Sequence, residues 1–131
     1  MNSIDNRVHQ RVQCFNLPFE REFIPIWIFN SNDGVAGLVV NMSFSGIQLL
    51  TDATEPLAEP HYDIVFIEDA DFEVTTAPCC HIEQVWNDKI SAQYNTSGFI
   101  FTGKVEAVIK HQLEKFHHAS KPFLRCELRA A

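Results

Sequence analysis

Short apolar blocks, five to seven residues long, recur about every ten positions between residues 23 and 102, and Gly, Pro, Asn, Asp or Ser punctuates the gaps. Blocks of this length, rich in β-branched and aromatic residues, predict the strands of an antiparallel sheet. The first is 23–29 (FIPIWIF), where Pro25 implies an edge or a bulge, because proline cannot donate to the ladder. The loop 30–34 (NSNDG) has hairpin chemistry and returns the chain into 35–40 (VAGLVV). A third strand is predicted over 47–51, followed by an acidic loop, 52–60, carrying Pro56 and Pro60. Over 62–67 the chain alternates, with Tyr62, Ile64 and Phe66 on one face and Asp63 and Val65 on the other. The acidic stretch 68–71 (EDAD) predicts a turn. Segments 72–76 and 81–86 follow, interrupted by Pro78, and Asn87-Asp88 predicts a hairpin turn into 89–94. Residues 95–97 lead to a last strand, 98–102.

From residue 104 the period changes. Val105, Val108, Ile109, Gln112, Leu113 and Phe116 fall on one helical face, which predicts a helix over 104–118 covering an open end or side of the sheet. Pro122 stops it, and 123–129 (FLRCELR) fits either a short strand or a helical turn. Residues 1–22 carry no period, and Asn16-Leu17-Pro18 disfavours helix there. The expected organisation is one domain: a flexible arm over 1–22, an antiparallel barrel with a C-terminal helix over 23–118, and a tail over 119–131. A hairpin of 23–29 and 35–40 brings residue 41 beside residue 23, where the arm enters. The eleven residues between Arg11 and Phe23 are enough to fold back over that end, since an extended chain spans about 3.3 Å per residue.

At 131 residues the chain is long enough to bury a core without a staple. The polar start, Met1 to Asn6, does not read as a signal peptide, and no apolar run approaches the roughly 18 residues of a membrane span, so a soluble, cytoplasmic protein is expected. Cys14, Cys79, Cys80 and Cys126 lack CxxC spacing and read as buried free thiols; the pair Cys79-Cys80 followed by His81 fits no zinc spacing, and no metal is expected. Trp27, Trp86 and the eleven phenylalanines are expected in the core, and His111, His117 and His118 on the exposed side of the helix. Charge is uneven: residues 22–88 hold twelve of the seventeen acids and no Lys or Arg. Such a surface argues against a nucleic-acid polymer as partner, because that affinity comes mainly from neutralising phosphates. A small anionic ligand would rely on the few cations near one end, Arg7, Arg11 and Arg21.

No nucleophile with its base, metal-ligand spacing or phosphate loop stands out, and the acids Asp69 and Asp71 read as a solvated turn, so catalysis is not expected and no cofactor is implied. Two stretches do carry binding chemistry. Arg7 and Arg11 stand four apart, and Asn41-Met42-Ser43-Phe44-Ser45-Gly46 lies between two predicted strands. Asn offers donors and acceptors, Ser a rotatable hydroxyl, and Gly46 a positive φ or a close approach of backbone. The pair RxxxR, a gap of about thirty residues and then (D/N)xSxxG at the start of an apolar strand resembles the PilZ domain family. Val85-Trp86 and the late glycine-aromatic strand Gly98-Phe99-Ile100-Phe101 fit the later part of the same pattern.

The resemblance implies a six-stranded antiparallel β-barrel with a C-terminal α-helix and, as ligand, cyclic di-GMP. It implies that Arg7 and Arg11 clamp guanine edges and phosphate from the arm, that Asn41 and Ser43 hydrogen-bond the ligand from the barrel, and that Gly46 keeps the start of the strand open. Guanidinium suits this role, since its planar fork pairs bidentately with guanine or phosphate and its face stacks on a base. The sequence departs from the pattern in having Asn6 where many members have a further arginine, and Asn41 rather than Asp. The expected function is a cyclic di-GMP receptor whose arm closes on the ligand and presents a new surface to an unknown protein effector in motility, pilus or exopolysaccharide control. The alternative is a PilZ-like interaction module that does not bind the nucleotide.

Overall fold

The computed structural model describes residues 11–15, 34–70, 73–76, 80–118 and 124–131. Its elements in chain order are β1 (Val12–Gln13), β2 (Val35–Met42), β3 (Gly46–Asp52), β4 (His61–Ala70), β5 (Glu73–Thr76), β6 (Cys80–Lys89), β7 (Tyr94–Thr102), α1 (Glu106–His118) and β8 (Arg125–Ala130). Six strands close into a ring. β2 pairs with β3, β3 with β7, β7 with β6, β6 with β4, β4 with β8, and β8 returns to β2, every pair antiparallel. The architecture is thus the expected six-stranded antiparallel barrel with one helix. No helix among the described residues is long and apolar enough to cross a membrane.

The alternation over 62–67 holds: Tyr62, Ile64 and Phe66 are buried in the barrel core with Val39, Leu49 and Ile82. Helix α1 also follows its predicted face. Val105, just before it, and Ile109 join the core, while Val108, Leu113 and Phe116 pack against it. Gly103, at φ 97°, makes the turn from β7 into the helix, a backbone shape that a side chain disfavours.

Two short strands finish edges that the ring leaves open. β8 occupies one edge of β2 only over Val35 to Leu38, and β1 takes the same edge further on, at Asn41 and Met42. On β4, β6 pairs with His61 to Ile64 and β5 with Ile67 to Ala70. This pairing needs unmade N–H and C=O groups, which β2 and β4 supply because they outrun their neighbours.

Several expectations are corrected. The tail, which fitted either a short strand or a helical turn, is a strand over Arg125–Ala130 that closes the barrel, and Leu124, Cys126 and Leu128 are core residues. Within the arm, Val12 and Gln13 are not irregular but paired to β2. Glu68 to Ala70 continue β4 instead of turning, because β5 pairs with them. Asn87 and Asp88 lie within β6 opposite Ser97 and Thr96, and the Asn87 amide donates to Ser97 Oγ at 2.9 Å. The chain turns over 90–93, where Ser91 Oγ accepts the N–H groups of Gln93 and Tyr94, both at 3.2 Å. A Ser hydroxyl bonding the backbone two and three residues on is itself a turn former. Trp86 is not core but 38 % exposed. The strand predicted over 23–29, Trp27, the loop 30–33, Pro78 and Cys79 lie outside the described residues.

Candidate functional site

The turn from β2 to β3 is built by Ser43. Its N–H donates to the Gly46 carbonyl at 2.9 Å, and its Oγ accepts the N–H groups of Ser45 and Gly46, each at 3.2 Å. Ser45 Oγ lies 3.1 Å from Ser43 Oγ. Ser43 is therefore buried and fully employed in shaping the turn. Gly46 serves the sheet: a Cβ there would stand 2.9 Å from the Phe99 carbonyl oxygen, on the neighbouring backbone of β7. Close approach, not positive φ, is what requires glycine.

Asn41 behaves differently. It sits just past a register shift, where Val39 faces Leu49 but Asn41 faces Gln48, leaving Val40 as the extra residue. A bulge of this kind re-aims the side chains that follow it. Val39 and Met42 both point into the core, and Asn41 between them goes to the outer face. There Asn41 Nδ2 donates to Gln48 Oε1 at 2.6 Å, Gln48 Nε2 donates to Thr96 Oγ1 at 2.9 Å, and Thr96 Oγ1 donates to the Leu49 carbonyl at 3.2 Å. This relay leaves Asn41 Oδ1 buried with no hydrogen-bond partner among the described residues. An unmet buried acceptor costs about 1–3 kcal/mol, so the site holds a standing demand for a donor.

Arg11 reaches this turn through β1. Val12 faces Met42 and Gln13 faces Asn41, so Arg11 precedes the pair as Ser43 follows it. The Cys14 and Phe15 N–H groups both donate to the Val40 carbonyl, at 2.8 and 3.0 Å, and hold the segment down. Cys14 is buried in the core cluster, and burial pushes its thiol up to about 11. Arg11 itself is exposed. Of the five residues singled out in the sequence, four (Arg11, Asn41, Ser43 and Gly46) meet at one end of β2, and Arg7 lies outside the described residues. Gln48 and Thr96 were missed, although a Gln between Ile47 and Leu49 marks the outer face of a strand by simple alternation.

Comparison with known families, with characterised proteins and with solved structures gives no match to this chain.

Proposed function

We propose that the chain is a cyclic di-GMP receptor and that Arg11, Asn41 and the Ser43–Gly46 turn form the part of its site described above. One observation carries the reading: the β1–β2 register brings the second arginine of RxxxR to the (D/N)xSxxG turn, thirty positions away in sequence. The closed six-stranded barrel with its helix is the architecture the resemblance implies. The unpartnered Asn41 Oδ1 adds an acceptor suited to the N–H donors of a guanine edge. Arg11 supplies the cation for phosphate or guanine. Ser43 and Gly46 contribute by fixing the turn, with no free hydroxyl to offer. Because Arg11 immediately precedes β1, ligand binding is coupled to docking of the arm on β2, and the docked arm is the surface read by a protein effector.

Calorimetric titration with cyclic di-GMP tests the reading. Wild type should bind at micromolar affinity or better, and Arg11→Ala should bind about 10- to 150-fold more weakly, the range for one lost hydrogen bond to charge. Absence of binding by wild type would leave the alternative, an interaction module that does not take the nucleotide. The exposed Val85, Trp86, Ile90 and Ile100, all on β6, β7 and the turn joining them, are the feature that favours that second reading.

A further inference from the structure

Where β4 pairs with β6, the inward positions are apolar: Tyr62 faces Ile82, Ile64 faces Cys80, and all four are buried. The residues between them belong to the outer face of the barrel. There Asp63 faces His81 and His61 faces Glu83, so two imidazoles and two carboxylates share one patch of the sheet. No spacing in the sequence announces the patch, because His61 and His81 are twenty positions apart and meet only through strand register.

Asp63 Oδ1 lies 3.1 Å from His81 Nδ1. An ionised carboxylate only accepts, so Nδ1 carries the hydrogen and the neutral ring keeps its lone pair on Nε2. That nitrogen lies 3.3 Å from His61 Nδ1, with the two rings 21° from parallel. The separation is long for a hydrogen bond from N–H. It matches one edge of a tetrahedron: two imidazole nitrogens, each about 2.0–2.1 Å from a zinc ion, stand about 3.3–3.4 Å apart. A carboxylate behind a histidine, fixing its tautomer and ring orientation, is also the usual support of a zinc-ligating imidazole. His61 is exposed, and the side chains of His81 and Asp63 are each 40 % exposed, so an ion can reach the nitrogens from solvent. Arg129 of β8 faces Asp63, but its Nε donates to Glu127 Oε1 at 2.8 Å.

We propose that His61 Nδ1 and His81 Nε2 bind a divalent ion of the zinc class, with Asp63 as the positioning residue behind His81. Among the described residues no group of three or more His, Cys, Asp or Glu is placed to hold a metal by itself, so water completes the coordination. The ion ties β4 to β6 beside the end of the closing strand, where the Ala131 N–H donates to the His61 carbonyl at 3.4 Å. It is a staple at the seam of the barrel. The site shares no residue with the proposed nucleotide site and is independent of that reading.

The probe is zinc ion alone, added to the full chain. Wild type should bind it in calorimetry and melt at a higher temperature in its presence. In spectra of protein carrying nitrogen-15 histidine, His61 Nδ1 and His81 Nε2 should shift on binding. His61→Ala and His81→Ala should each lose the rise in melting temperature, and Asp63→Ala should weaken binding about 10- to 100-fold. Magnesium, which takes oxygen ligands, should have no effect. A zinc response kept in the double variant His61→Ala/His81→Ala would place the metal elsewhere and overturn the proposal. So would an equal response to magnesium, which marks simple attraction to an acidic surface, or wild-type histidine signals that zinc leaves unmoved.

Discussion

Ser43 Oγ accepts two backbone N–H groups, while Asn41 Oδ1, two residues away, accepts none from the described residues. Substitutions at the two positions therefore report different things. Loss of binding in Ser43→Ala would record a loosened turn, so it must be read beside the melting temperature. Buried thiols make a cleaner residue-scale prediction. Burial raises Cys14 to about 11 and pushes Cys126, inside the closing strand, higher still. In the unfolded chain these thiols ionise near their ordinary value of 9.0. Above that pH the unfolded state releases protons that the folded state keeps, so stability is full below pH 9 and falls as pH rises toward about 11. Melting temperatures measured from pH 8 to pH 10.5 should decline, and Cys14→Ala should decline less steeply; equal slopes would contradict the burial account. At this scale the sequence was legible wherever alternation was unbroken, as at Tyr62, Ile64 and Phe66. It misled at Trp86, because one inserted residue exchanges the faces of a strand and nothing in the composition of β6 announces the insertion.

At the scale of elements, helix α1 and the central strands were readable from period alone, but their ends were not. Asn87-Asp88 has turn composition yet lies in β6, because Asn87 finds a better partner in Ser97 across the ladder. The turn into α1 depends on Gly103. A Cβ at Gly103 would meet nothing within 4 Å, so substitution there isolates the backbone term. Gly103→Ala should destabilise the protein by about 1–3 kcal/mol through strain at positive φ alone. Chemical denaturation measures it, and an unchanged midpoint would mean the turn relaxes to a conformation open to any residue. The meeting of the two motifs also belongs to this scale. It arises because β8 stops short on β2 and leaves Asn41 and Met42 an edge for β1. No local pattern in residues 11–15 shows that vacancy, which exists only once six strands are arranged.

For the molecule as a whole, closure rests on β8. Its ambiguity in the sequence is physical: Leu124, Cys126 and Leu128 alternate as in a strand, yet Leu124 and Leu128 are also four apart as on a helix. The edges of β2 and β4 decide between the two. Deleting residues 124–131 should open both edges, remove three core side chains and leave a chain that self-associates. Size-exclusion chromatography and near-ultraviolet dichroism would show this, and a monomeric truncated chain with native tertiary signal would contradict it. Closure by β8 also sets an order in time. Leu128 follows its partner Val35 by 93 positions, 35 to 128, so the ring needs a long loop to close and cannot form early. At translation rates of about 5–20 residues per second, β2 waits roughly 5 to 20 s on the ribosome for the strand that covers it. Nascent chains of this protein should therefore be clients of holding chaperones until β8 emerges, and slowing synthesis should raise, not lower, their loss to aggregation.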